Sequence, residues 1–321
     1  MVLIDEITTF LTYLKSANTA QSYLHDCYHN NHVEGGEKKS FENAYRFIYY
    51  LEHGESFFAT GKKADLITKP ILYFYGMIHL LKACLLTQRP DYPENTSLLS
   101  HGVSTRKRKK QNYSFLQDEV KPQHNGLFPY FSTYLYGEKE AYLEKMDMNR
   151  LFHNIPEMRD MYIHYNKRDS MFPIGNYGDN FVTFPLSILD HYHTTEHRFI
   201  EKLQTSRLNI KGVHKQEKKL VVELMDPINP ISNGPFYFHY QKQTFYFPWN
   251  RHYFLTFNEV MYHYLLLYNL SMICRYETEW WGDLIHNHPN EDYPFIQHFL
   301  DVTATKVPLM LGHYLLHLRK E

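Results

Sequence analysis

From Ile71 to Leu86 the chain is apolar on nearly every side, with Pro70 just before it. A helix without a polar face cannot lie on a surface; it has to be surrounded by other chain. Pro70 suits its start, because the missing N–H of a first-turn residue has no intrahelical partner to lose. One cation interrupts the run: Lys82, flanked by Leu81, Ala83 and Cys84. A lysine so placed pairs with a carboxylate, snorkels its ammonium to water, or carries a depressed pKa. The uninterrupted apolar run is shorter than the roughly eighteen residues that a membrane span requires. The segment therefore predicts the central helix of a soluble domain, and everything else must be arranged to cover it.

The flanking sequence supplies that cover. Ile4 to Lys15 and Ala17 to His29 have helical spacing, and Gly35-Gly36 punctuate the loop after them. Ser40 reads as the N-cap of a helix from Phe41 that runs to Gly61 and Lys62-Lys63. From Pro90 to about residue 136 prolines and glycines break the periodicity, which predicts a long loop with room for a short hairpin. Helical character returns from Ala141 to Tyr165, with a new start at Pro156. Residues 167–255 have a different pattern, in which Phe181-Val-Thr-Phe, Leu208-Asn-Ile, Leu220-Val-Val-Glu-Leu and Phe236-Tyr-Phe-His-Tyr are strand-like. Gln241-Lys242-Gln243 separates two aromatic alternations, the pattern of a hairpin. Thr256 and Glu259 form a T-x-x-E capping box opening a helix to about Cys274, and two helices, 293–304 and 308–319, follow. The expected fold is mainly α-helical (α+β): one composite domain, 1–321. Its N- and C-terminal helices (1–166 and 256–321) carry a β-rich insertion at about 167–255 and a basic, aromatic loop at about 90–136.

Composition narrows the function classes. With 17% aromatic residues and only 21% charged, the chain is not disordered. Its 34 Lys+Arg against 35 Asp+Glu exclude a globally basic nucleic-acid coat. Cys27, Cys84 and Cys274 are far apart and odd in number, which excludes a disulfide scaffold and a CxxC site and fits a reducing cytoplasm. Asp5 and Glu6 stand where a signal peptide needs positive charge. G-x-x-x-x-G-K-[ST], G-x-G-x-x-G and G-x-S-x-G are all missing, so a common ATPase, dehydrogenase or hydrolase is not expected. No cofactor is expected either.

The segment Lys69-Pro-Ile-Leu-Tyr-Phe-Tyr-Gly-Met-Ile-His-Leu-Leu-Lys-Ala83 resembles the bacterial YaaC-like family. The resemblance continues, in order, through His101-Gly102, Gly126-Leu-Phe128, Leu270-Ser-Met-Ile-Cys-Arg-Tyr276 and Trp281. It spans about residues 40 to 285. The family's late segment carries a proline between Arg-Tyr and Trp that Glu277-Thr-Glu-Trp280 lacks. The resemblance implies no particular reaction. A looser similarity, through Arg159-Asp-Met-Tyr-Ile-His164, is to HEPN helical domains, some of which are metal-independent ribonucleases.

Several residues could carry chemistry. His164 as a general base and Arg159 as a stabiliser of phosphorane charge could cleave RNA without metal. Five helical residues advance about 500°, so a regular helix offsets the two rather than stacking them. R-x4–6-H also matches Arg46 to His53 and Arg207 to His214, about the number that chance supplies. The run Arg106-Lys107-Arg108-Lys109-Lys110 has no carboxylate between Glu94 and Asp118, and Tyr113, Phe115, Phe128, Tyr130 and Phe131 follow it. Cations interleaved with rings suit a single-stranded nucleic acid, an acidic protein surface or a phosphorylated metabolite; the bland alternative is a solvated loop. His191, His193, Glu196 and His197 have metal-like density without the H-E-x-x-H order, in a chain rich in histidine, so no metal site is expected. Lys82, His101 and Arg275 join the binding candidates; for Arg275 the duller alternative is service to a helix C-terminus. The sequence points to a non-catalytic cytoplasmic protein that engages a partner protein through the basic loop, with a HEPN-like ribonuclease as the alternative. A homo-oligomer is compatible with either, and no membrane association is expected.

Overall fold

The computed structural model describes residues 2–105, 113–139, 145–206 and 208–320. Val2–Tyr13 (α1) and Ala17–Asn30 (α2) come first, and the Ser16 hydroxyl caps α2 by accepting from the Thr19 amide at 3.3 Å. Gly36–Lys63 (α3) begins earlier than the sequence suggests. Ser40 is not its cap: it lies buried inside the helix, donating to the Glu37 carbonyl at 2.7 Å. The turn into α3 is made instead by Gly35 at φ +67°, a conformation natural to glycine. Lys69–Gln88 (α4) is the central helix expected, with Pro70 in its first turn and none of its residues exposed. By length and composition α4 could cross a membrane, but 72% of its apolar window is buried within the fold, the situation of a core helix.

Helices α3 and α4 pack unusually close, and glycines permit it. A Cβ on Gly61 would collide with the Tyr73 ring, and one on Gly76 would sit 2.9 Å from the Phe58 ring. The stretch expected as a long loop with room for a short hairpin at 90–136 holds that antiparallel pair and more besides. It contains Val103–Thr105 (β1), Glu119–Pro122 (β2) and the helix Leu127–Tyr136 (α5); with Met146–Asp147 (β3) the strands form an antiparallel sheet in the order β1-β2-β3. Phe115, Phe128 and Phe131 are fully buried and Tyr130 nearly so, so these rings are core rather than a stacking surface. Aromatic residues used as core on a short helix leave no clean period, which is why the segment reads as loop.

Residues 149–262 form a compact unit of their own, wider at both ends than the insertion expected at 167–255. After Met148–Phe152 (α6) and Arg159–Asn166 (α7) come Met171–Asn176 (β4), Phe181–Pro185 (β5), Ile188–His191 (α8), Glu196–Thr205 (α9), Ile210–Gln216 (β6), Lys219–Leu224 (β7), Tyr237–His239 (β8) and Thr244–Pro248 (β9). Two antiparallel sheets result, β4-β9-β8 and β5-β7-β6, and residues 241–243 make the expected hairpin turn between β8 and β9. The core is aromatic: Phe184 and Phe247 meet edge to face at 5.1 Å, and Phe184 and Phe199 at 5.3 Å.

Glu259–Tyr276 (α10) leads back into the first unit, which comprises residues up to Met148 together with 263–321. Thr256 does not cap α10; Asn258 does, its carbonyl oxygen accepting from the Val260 amide at 3.0 Å. Thr278–Asn287 (α11) was not expected, and the two final helices are a single one, Asp292–Lys320 (α12), with Pro308 inside it. The α12 helix closes the unit against the N-terminal helices: the Tyr23 hydroxyl donates to the Leu315 carbonyl at 2.8 Å.

Candidate functional site

The close approach of α3 and α4 brings two polar stripes together. On α3 these are Arg46, Tyr50, His53 and Phe57, and on α4 Tyr75, His79 and Lys82, at the three- and four-residue spacing that aligns side chains on one helix face. The His79 ring is central. It lies 5.2 Å from the His53 ring, 6.0 Å from Tyr50, and 5.6 Å from Phe57 with the planes only 14° apart. The Lys82 ammonium is 5.7 Å from the centre of the Tyr50 ring, and the Arg46 guanidinium 5.6 Å from the same ring. Arg46 is already engaged: it donates to the Tyr92 carbonyl and, at 3.4 Å, to the Tyr50 hydroxyl.

His101 enters from the segment after α4 and is held firmly. Its carbonyl accepts from the Tyr264 hydroxyl at 2.9 Å and from the Phe128 amide at 3.1 Å, and its ring sits among Phe74, Tyr75 and Tyr268. Two glycines make that position possible. A Cβ on Gly126 would lie 2.5 Å from the Gly102 nitrogen, and both residues have positive φ. The separate motifs His101-Gly102 and Gly126-Leu-Phe128 are thus two halves of one backbone contact. Arg275, in the last turn of α10, donates to the Ser271 carbonyl at 3.0 Å, as a cation at a helix C-terminus does.

Of the residues expected to bind, His101 lies between α4 and α10, whereas Lys82 and Arg275 stand toward opposite ends of that contact: Cys274, next to Arg275, donates to the Ile67 carbonyl just before α4, and Lys82 is in the second half of α4. The His101 pKa is lowered, first by burial and then by Arg275 and Lys82. His79 is pushed further, down to about 4, by burial, by Lys82 and by His53. Among the described residues no carboxylate forms an ion pair with Lys82 or Arg275. His79 adds a detail: its Nδ1 is enclosed and makes no hydrogen bond. An enclosed N–H without an acceptor costs more than an enclosed lone pair, so the proton of the neutral ring belongs on Nε2. The face shared by α3 and α4 thus offers the Lys82 ammonium, a neutral imidazole N–H and a lining of rings.

The remaining candidates lie elsewhere. The Arg106–Lys110 run falls outside the described residues. Tyr113, just after it, turns inward: its hydroxyl donates to Asp118 at 2.6 Å and its ring meets Trp280 edge-on at 4.8 Å. The next residues are pinned by the buried Asp292 carboxylate, which accepts from the Phe115 amide at 2.7 Å, the Leu116 amide at 3.2 Å and the Ser114 hydroxyl at 3.2 Å. In the second unit Arg159 holds the Asp169 carboxylate with two nitrogens and reaches Asp160 at 3.2 Å, while His164 is exposed on the same short helix. His193 and His197 do not share a helix face, because His193 precedes α9 at φ +48°. Among the described residues no group of three or more potential ligands could hold a metal.

Sequence reasoning missed His79 and His53. His79 stands in the motif at Lys69–Ala83, three residues before Lys82, but its role depends on α3, which only packing brings alongside. No curated protein and no solved structure matches the chain. The YaaC-like protein family matches it over residues 12–315, which includes all of α3 and α4, His101 and Arg275, and the chain belongs to that family.

Proposed function

We propose that the chain is a non-catalytic binding protein that engages a partner protein through anionic groups received by half-buried cations, Lys82 on α4 and Arg275 on α10. One observation carries this reading: Lys82 and Arg275 are half-buried among aromatic rings with no carboxylate paired to either among the described residues. Holding a cation away from water without a counter-ion is costly, and an incoming anion offsets that cost. In the sequence, the Arg106–Lys110 run carries charge of the same sign. The free cysteines Cys27, Cys84 and Cys274 support a cytoplasmic location. The Arg159–Asp169 pairing favours a structural role for Arg159 over a nuclease.

The test is affinity capture from the native cell extract with the natural chain and with the Lys82→Gln/Arg275→Gln variant, followed by binding measurements on the purified partner. The expected result is a partner whose binding weakens with salt and is lost in the double variant. Equal capture by both proteins would count against these two cations. Chelator-resistant RNA cleavage abolished by His164→Ala would replace the reading with the nuclease.

A further inference from the structure

The solvent face of α3 carries large apolar side chains that the fold leaves uncovered. Phe41, Tyr45 and Tyr49 are 70%, 60% and 55% exposed, and no large apolar residue among those described is more exposed than Phe41. Their four-residue spacing puts all three on one face of the helix, and the Tyr45 and Tyr49 rings lie 6.2 Å apart. Single exposed apolar residues are ordinary; a row of three rings on one helix marks a surface that another surface covers. The opposite face of α3 is already used, since Ala44, Phe47, Leu51 and Phe58 are buried. The flanks of the row are engaged within the chain as well, by the ion pairs Lys39–Asp91 and Lys15–Glu55.

The charges at the ends of the row indicate what covers it. Lys38 stands seven residues before Tyr45 and Glu52 seven residues after it, and both are exposed. Seven residues are close to two helical turns, so both charges share the face of the rings, each about 10 Å along the axis from Tyr45. Phe41 and Tyr49 are spaced evenly about Tyr45 in the same way. The face is therefore complementary to a copy of itself turned end for end. A two-fold axis through Tyr45 sets Lys38 against Glu52 of the partner subunit and Phe41 against Tyr49 of the partner subunit, each twice. A parallel alignment would set each charge against its own kind, so the charges select the antiparallel one. Among the described residues Glu52 forms no ion pair, and Lys38 has only the exposed Glu42 of its own helix, at 3.5 Å.

We propose that α3 is a homodimer interface in which two copies of the chain pack antiparallel about Tyr45. The rings of Phe41, Tyr45 and Tyr49 form its centre, and Lys38 pairs with Glu52 of the partner subunit at either end. The interface uses neither Lys82 nor Arg275. One helix against another is a small contact, so the expected dissociation constant is on the order of micromolar.

Sedimentation equilibrium of the full chain, at concentrations spanning the micromolar range, should show a monomer–dimer equilibrium. Tyr45→Lys puts two like charges on the two-fold axis and should leave monomer throughout. Lys38→Glu and Glu52→Lys should each weaken self-association roughly tenfold or more, because each sets like charges together at both ends. An equimolar mixture of those two variants should dimerise again, each supplying the charge that the other lacks. The double variant Lys38→Glu/Glu52→Lys should dimerise as the natural chain does. A variant that merely misfolds would show neither recovery, and thermal unfolding of each variant accompanies the measurements. A natural chain that stays monomeric, a dimer indifferent to Tyr45→Lys, or two single variants that fail to associate with each other would overturn the proposal. Binding of a monomeric natural chain to phospholipid vesicles, lost in Tyr45→Lys, would overturn it in favour of a membrane surface.

Discussion

His79 shows how the contact between α3 and α4 bears on stability. In the folded chain its pKa is about 4, against 6.5 when unperturbed, because burial, Lys82 and His53 all oppose its charge. Between those two values the unfolded chain binds a proton that the folded chain refuses. Stability therefore falls as pH drops from 6.5 toward 4, and above 6.5 this contribution is constant. Urea unfolding of His79→Gln across that range should show a shallower loss than the natural chain; parallel curves would mean that the ring titrates freely when folded. Arg159 and His164 offer a second comparison at this scale. Arg159 is held by Asp169, Asp160 and the Met171 carbonyl, whereas His164 is exposed. Arg159→Ala should cost roughly 1–3 kcal/mol through lost charged hydrogen bonds, and His164→Ala should stay within about 0.5 kcal/mol. The opposite ranking in chemical denaturation would mean that the ion pair is not structural. The sequence shows the residue types at this scale but not their partners: nothing around Arg159 in the R-x4-H reading marks Asp169, ten residues on, as its counter-ion.

At the scale of elements, helix interiors were legible and helix ends were not. The α4 helix is where its apolar run puts it, and the β8–β9 hairpin follows from its aromatic alternation. Ser40 and Thr256 fail as caps because any short hydroxyl side chain near a helix start satisfies the pattern, and the backbone chooses among them. Asn258 does that work for α10 and also donates to the Ile231 carbonyl at 2.8 Å. Asn258→Ala should therefore destabilise by about 1–2 kcal/mol, and Thr256→Ala, at an exposed position, should be nearly silent. Comparable losses from the two would restore the T-x-x-E box. Glycine in α3 gives a sharper case. In an open helix, replacing Gly61 by Ala should stabilise by up to about 1 kcal/mol on propensity alone. Here the added methyl meets the Tyr73 ring, which is 1% exposed and cannot step aside. Gly61→Ala should lower the melting temperature, and a rise would show that α3 and α4 are not in close contact there.

For the molecule as a whole, the decisive contacts join residues that sequence order keeps far apart. The first unit is assembled from both ends of the chain, with residues 149–262 forming the second unit between them. The α12 helix supplies contacts that α1, α2 and α4 cannot make among themselves: Gly312 packs against Ile7 and Leu11, Tyr23 donates to the Leu315 carbonyl, and Gln88 donates to the Tyr314 hydroxyl at 3.4 Å. No local pattern reveals such pairings, and the reading of α12 as two helices broken before Pro308 obscured them further. They matter energetically because Leu309, Met310, Leu311, Tyr314, Leu315 and Leu316 are all buried. Burying a large apolar side chain is worth about 1.5–3 kcal/mol, so these six together rival the roughly 5–15 kcal/mol of net stability of a typical domain. A chain ending at Val307 should therefore lose hydrogen-exchange protection throughout α1 and α4, even though every residue of those helices is still present. Retained protection there would show that the N-terminal helices hold their own core.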